Sequence, residues 1–210
     1  METLQRDVPV RPLPVVAGNL ALDFANTVDD PDGPARFDHI GDLPLLLRWA
    51  QTVQLLSEPG YEELAALARN QPAVAASGLR RAHALRSAVQ SVFGAIADGQ
   101  AIPEQPWRDL RRLIAEAISH AELTGDHAHV DLVWPTRGLD AVLWPIAYAA
   151  HELLTGSSLG RVKRCANCPW LYVDQSKNSS RRWCSMDDCG KYVKMRRYVE
   201  RRAAKRRAAP

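Results

Sequence analysis

The chain has 210 residues, 46% hydrophobic and 24% charged, a length and balance that suit a soluble protein with one sizeable core and a small appendage. Its first residues, METLQRDVPVRPLP, are polar and proline-rich and hold no apolar run of the signal-peptide kind. No stretch approaches the roughly 18 apolar residues of a membrane span, since the longest, 141–150, is interrupted by Pro145. No membrane partner is expected, and a cytoplasmic, reducing location follows. The net charge of +3 conceals an asymmetry: residues 1–160 hold 12 Lys and Arg against 20 Asp and Glu, and residues 161–210 hold 15 against 4. Two units with different partners are implied, the basic one suited to a polyanion.

After a flexible tail over 1–14, the segment VVAGNLALDFANTVDD is apolar, and DDPDGP (29–34) reads as a turn, since the later ligand positions of a calcium loop are missing. Asp42 is placed to cap a helix through LPLLLRWAQTVQLL, with Pro44 in its first turn. Helices are expected over 61–70 and over 77–97, where Leu79, Ala82, Leu85, Val89, Val92, Phe93 and Ile96 recur at helical spacing. A further amphipathic helix is expected over 107–123, and Val130, Leu132 and Trp134 alternate as in a strand. The almost wholly apolar 139–154 predicts a buried helix, with Gly156 where a C-terminal cap belongs. Residues 15–158 thus read as a mainly helical domain with a small β component, and 159–210 as a separate small unit.

All four cysteines lie in that second unit, as Cys165-x2-Cys168, fifteen residues, then Cys184-x4-Cys189. A Cys-x2-Cys turn lets two sulfurs converge on one ion, and a hairpin that brings back a second pair closes a tetrahedral shell. Aromatic and β-branched residues at 170–173, a polar turn at 174–180 and a return over 181–183 suit that path. One structural Zn²⁺ is favoured over an iron–sulfur centre, unbridged thiols or oxidised pairs. With four sulfurs and no histidine after His151, no open position is left for a catalytic water. Arg181, Arg182 and Lys191 are near enough in sequence to offset the thiolate charge.

After Cys189, GKYVKMRRYVERRAAKRR has no proline and is rich in helix formers. On a helical wheel Tyr192, Met195, Val199 and Ala203 share one sector, expected to pack on the zinc core, while Lys191, Lys194, Arg197, Tyr198, Arg201 and Lys205 lie opposite. Seventeen residues give roughly 25 Å of helix, enough to lie along a DNA groove. Candidate nucleic-acid contacts are therefore Lys177, Arg181, Arg182, Lys191, Lys194, Arg197, Arg201 and Lys205.

The run CANCPWLYVDQSKNSSRRWCSMDDCG resembles the CGNR-type zinc finger, a C-terminal module of bacterial transcription regulators. The resemblance rests on the four cysteines, Val-Asp-x-Ser-x-Asn at 173–178, Arg-Arg-Trp-Cys-Ser-Met at 181–186 and the basic tail. Upstream, GNLALDFANTV (18–28) resembles the start of the ABATE-type domain that precedes such fingers. The family's Asn-Arg pair after Cys-Gly is replaced here by Lys191 and Tyr192.

Enzyme signals are weak. Gly156-Ser157-Ser158-Leu159-Gly160 fits G-x-S-x-G, but a helix precedes it and no histidine follows Ser158. His127 and His129 would share a strand face with no third ligand, which suits a polar hairpin. The expected function is DNA binding in transcriptional control within the nucleoid, not catalysis. The N-terminal domain would then serve as dimeriser, sensor of a small-molecule effector, or both. RNA or ribosome binding is the alternative, since zinc knuckles and arginine-rich helices also suit RNA.

Overall fold

The computed structural model describes residues 13–29, 37–135 and 138–207, with the backbone alone of Lys205. Beyond Asp29, the expected turn at 29–34 lies outside the described residues, as does most of the N-terminal tail. The chain is mainly helical, and the three sheets among the described residues are each a pair of antiparallel strands.

The opening motif builds α1 (Leu20–Ala25), where Asn19 caps the first turn by accepting from the Ala21 and Leu22 amides. β1 (Val28–Asp29) pairs with β2 (Phe37–Asp38). The Asp42 carboxylate accepts from the Leu45 amide at 2.8 Å and starts α2 (Leu43–Thr52) as its sequence predicts. α3 (Glu58–Asn70) begins earlier than its periodicity suggested, because Ser57 caps it and Pro59 is tolerated in its first turn. α4 (Pro72–Ala97) likewise starts five residues earlier than expected, at Pro72.

The helix expected over 107–123 is α5 (Glu104–Ser119), and it stops short. Residues Glu122–Gly125 form β3 instead, paired with β4 (Val130–Val133) in a hairpin whose two strands are largely exposed. Leu123 is 75% exposed, so the apolar residue that seemed to extend the helix has no core to enter. His127 and His129 sit at the tip of this hairpin, and His129 pairs with Asp131 at 2.9 Å.

α6 (Asp140–Thr155) runs through Pro145 and is buried along most of its length. It ends at Gly156 with a negative φ of −87°, and there a Cβ would meet the Glu152 carbonyl oxygen at 2.7 Å. Close approach, not left-handed geometry, is what requires glycine. The Gly156–Gly160 segment leads into a 3-10 turn (Leu159–Arg161), so it is no nucleophile elbow.

α4, α5 and α6 pack on one another, and α1 wedges against α4 and α6. β5 (Val162–Arg164) and β6 (Leu171–Val173) then form a second hairpin, followed by a π turn (Met186–Gly190) and α7 (Lys191–Arg207). This hairpin does not stand apart from the helices. Leu171 and Tyr172 are fully buried and belong to the same apolar cluster as Phe24, Leu85 and Phe93. No described helix is long and apolar enough to cross a membrane.

Candidate metal centre and basic helix

The β5–β6 hairpin folds around the first cysteine pair. Its turn carries Cys165 and Cys168, closed by the Cys165 amide donating to the Trp170 carbonyl at 2.8 Å. The return segment docks on that turn when the Ala166 amide donates to the Arg182 carbonyl at 3.0 Å. Cys184 precedes the π turn and Cys189 lies within it, and Ser185, which caps the turn, accepts through its side chain from the Asp187 and Asp188 amides. The strand partner of β6 is therefore 162–164, and the return over 181–183 forms no strand.

One atom from each cysteine lies within 4.8 Å of all the others, with Cys168–Cys184 at 3.6 Å and Cys184–Cys189 at 3.7 Å. Sulfurs about 2.3 Å from one tetrahedral ion stand roughly 3.8 Å apart, close to the two shortest separations here, so the cluster suits one Zn²⁺. Cys165 and Cys184 are buried, Cys168 and Cys189 half-buried. The Cys165 sulfur is held far below the ordinary thiol range by hydrogen bonds from Cys168 and Cys184, and those two are pushed up in turn. A dication held by the four sulfurs would take all of them as thiolates, with a net charge of −2, and would remove their competition for protons. The Asn167 amide donates to the Cys189 sulfur at 3.4 Å, orienting a ligand from outside the shell.

Asp174 organises the loop between the two pairs. Its side chain is fully buried, which alone would raise its pKa, but the bonds it accepts outweigh burial and hold it well below the usual carboxylate range. Lys163 Nζ donates to one carboxylate oxygen at 2.7 Å and the Arg181 amide to the same oxygen at 3.0 Å. The Ser176 amide and hydroxyl donate to the other oxygen at 2.9 and 2.6 Å. The Asp-x-Ser spacing in the sequence carried this turn signal.

The GNLALDFANTV motif clamps the hairpin to the helical body. The Asn26 amide group donates to the Leu171 carbonyl at 2.8 Å and its oxygen accepts from the Leu171 amide at 2.9 Å, so a side chain acts as a neighbouring strand. Val173 N donates to the Ala17 carbonyl at 2.8 Å. Gly18 holds φ +74°, with the Gln175 side chain 3.1 Å from where a Cβ would sit. Asp23 accepts from the Val16 and Ala17 amides at 2.9 Å each; burial raises its pKa, and those bonds offset part of the rise. From the other side, Arg164 on β5 forms a two-pronged ion pair with Asp98 at the end of α4.

Arg181 departs from its expected role. Its guanidinium donates to the carbonyls of Val16 (2.9 Å), Trp183 (2.9 Å) and Cys184, and stacks 4.3 Å from the Tyr172 ring centre. Burial pushes the Tyr172 phenol up to about 12, and its hydroxyl donates to the Arg181 carbonyl at 2.7 Å. Arg181 is an internal staple, not a free cation.

α7 also departs from expectation. Among its described side chains only Val193 is buried, while Tyr192, Met195, Tyr198 and Val199 are 59, 63, 50 and 57% exposed. The Tyr192–Met195–Val199 sector does not pack on the zinc core. Val193 lies about 100° around the helix from Tyr192. The π turn fixes this orientation, and after the first turn the helix has left the body. Lys177, Arg182, Lys191, Lys194, Arg197 and Arg201 are all exposed; Lys191 pairs with Asp187 at 2.6 Å, and Arg182 lies over the Trp183 ring. The side chain of Lys205 is outside the described set.

Two features escaped the sequence reading. One is the Asn26 clamp, whose only signal is the scatter of Asn19, Asp23, Asn26 and Thr27 within and around the short apolar α1. The other is a polar relay in which Asp29 accepts from the Trp170 indole N–H at 3.1 Å and pairs with His39 Nε2 at 2.9 Å.

Residues 161–202 match the CGNR zinc finger family, and residues 18–157 match the ABATE family, whose description is "putative stress-induced transcription regulator". No curated protein matches the chain. The matched finger contains the four clustered sulfurs, and the longer match begins at the glycine of the clamp and covers more than half of the sequence. The chain therefore belongs to the ABATE family and carries a CGNR zinc finger with a four-cysteine zinc centre at its C-terminal end.

Proposed function

We propose that this protein binds duplex DNA through α7 to control transcription, with the zinc centre holding the base of that helix. The observation that carries the reading is a projecting, seventeen-residue helix with nine Lys and Arg, one acid and, among its described side chains, one that is buried. A cationic rod with so little packing of its own suits a polyanion that supplies both charge and surface. Lys194, Arg197 and Arg201 are the central contacts, with Lys205 beyond them and Lys177, Arg182 and Lys191 near the base. Arg181 is left out of this set, because its donors serve internal carbonyls. A lone finger neutralising a few phosphates binds weakly, so two copies on neighbouring half-sites supply the remaining affinity. The helical body then holds the copies together.

The test replaces Arg197 and Arg201 together by Ala. Zinc content and thermal stability should not change, while affinity for duplex DNA should fall. The salt slope should flatten by roughly 0.9 for each phosphate that the variant no longer neutralises. Unchanged affinity and slope would remove α7 as the binding element. Tighter binding to structured RNA than to duplex DNA, measured in the same titrations, would overturn the choice of partner.

A further inference from the structure

α7 has a second face that the DNA reading does not use. At roughly 100° per residue, Lys194, Arg197 and Arg201 share one side of the helix, and Tyr192, Met195 and Val199 share the reverse side. Each of those three apolar side chains is more than half exposed. Arg196 and Arg202 border the stripe, the first over the Tyr192 ring and 3.7 Å from Glu200, the second over the Tyr198 ring. An open apolar stripe with a cationic rim calls for a partner that is apolar at its centre and anionic around it.

The β3–β4 hairpin offers that chemistry. Its register sets Leu123 opposite Leu132 and Gly125 opposite Val130, and strand alternation puts these four on one face. Leu123 is 75% and Val130 60% exposed, and a two-stranded hairpin whose apolar face is left open is marginal in water. Residues 122–133 hold three carboxylates and no lysine or arginine. Asp126, at the tip, accepts from the Ala128 and His129 amides, neutral groups that leave its charge in place. Glu122 and Asp131 stand on the reverse of this thin ribbon, Asp131 paired with His129.

Two hairpins brought together repel, and so do two α7 helices with nine cations each. Hairpin and helix attract. They also match in length, since four residues of strand span about 13 Å and Tyr192 to Val199 about 10 Å. α7 packs mainly on the π turn of its own chain and then leaves the body, so the hairpin it meets belongs to another copy. We propose that the apolar stripe of α7 docks on the open face of the β3–β4 hairpin of a second copy, Met195 and Val199 against Leu123 and Val130. Exchanged reciprocally about a two-fold axis, the contact closes as a dimer. Lys194, Arg197 and Arg201 stay on the open side, so the contact does not depend on what they bind.

The experiment is analytical sedimentation of the zinc-loaded full chain, without nucleic acid, from micromolar to hundreds of micromolar. Wild type should self-associate across that range, and added salt should weaken it, because exposed charges are screened over about 8–10 Å. Leu123→Asp and Met195→Asp should each weaken association by about tenfold or more, as expected when a buried apolar contact is lost. Both positions are exposed in the single chain, so zinc content and the thermal midpoint of the dilute protein should hold. A mixture of the two variants should associate more tightly than either alone, since one intact helix then meets one intact hairpin. Glu62→Gln on α3 should change nothing. A monomer at the highest concentration in low salt, or association that ignores both substitutions, would overturn the proposal. So would sensitivity to only one of them, which would place a hairpin on a hairpin or a helix on a helix. With no nucleic acid in the cell, this result and the DNA reading stand or fall separately.

Discussion

The hairpin and α7 adjoin each other in sequence and are held by opposite means. Around β5 and β6 almost every polar group is matched: Asn26 completes the strand edge, Arg164 holds Asp98, Arg181 caps three carbonyls and Asp174 gathers four donors. Among its described side chains α7 has one that is buried, and its main packing is against the π turn. The first region is specified by the chain and its metal. The second is specified as a helix but not as part of a core, which leaves its faces available to something else. The zinc finger therefore holds two kinds of segment, one built to be stable and one built to be met.

The strongest way to break this contrast is to remove the metal. Cys184→Ser should abolish stoichiometric zinc binding and forfeit much of the roughly 10–16 kcal/mol that structural zinc supplies. Because Leu171 and Tyr172 share the core of the helices, the damage should spread, lowering the thermal midpoint of α1, α4 and α6 as well as the finger. Cooperative unfolding of the helices at the wild-type temperature in this variant would show that the two regions are energetically separate after all.

A smaller effect is expected at Asp174. Replacing it by Ala leaves Lys163 and the Arg181 amide facing an apolar hole, at about 3–5 kcal/mol. Its pKa is lowered in the folded protein, so its contribution is complete above the ordinary carboxylate value of the unfolded chain and is lost only as the pH falls well below that value. Denaturant titrations should keep wild type and variant apart at every pH down to strongly acidic conditions. Convergence near pH 4 would mean that the carboxylate is not held as its hydrogen bonds imply.

The least effect is expected on α7. Met195→Asp should change stability by no more than about 0.5 kcal/mol, the range for exposed positions. A large destabilisation would place this sector against a core and restore the orientation its sequence suggests.

That orientation shows where the sequence stops being legible. The four cysteines, the Asp42 cap and the long periodicity of α4 each report a local or chemical requirement, and each can be read from residue type and spacing. Tyr192, Met195 and Val199 also form a stripe, and a stripe normally predicts burial. The face of a helix that meets the body depends on how the preceding π turn aims it, which no periodicity encodes. The same holds for Arg181, since a basic residue beside a metal site looks identical whether it points outward or caps carbonyls. Leu123 and the overrun of α5 belong here too: the apolar spacing continued after Ser119, but there was no neighbour to bury it.

The strand edge completed by Asn26 has a consequence for assembly. Leu171 lies 145 residues beyond Asn26, and Val16 receives a hydrogen bond from Arg181 across 165 residues. The partners of the first described segment are thus synthesised long after it. Pairings of such sequence separation close late and slowly, after local helices have formed. Until the knuckle has emerged and captured its ion, α1 faces a groove with its amide and carbonyl partners missing. The arrival of zinc is therefore also the step that fastens α1 and the residues before it to the finger.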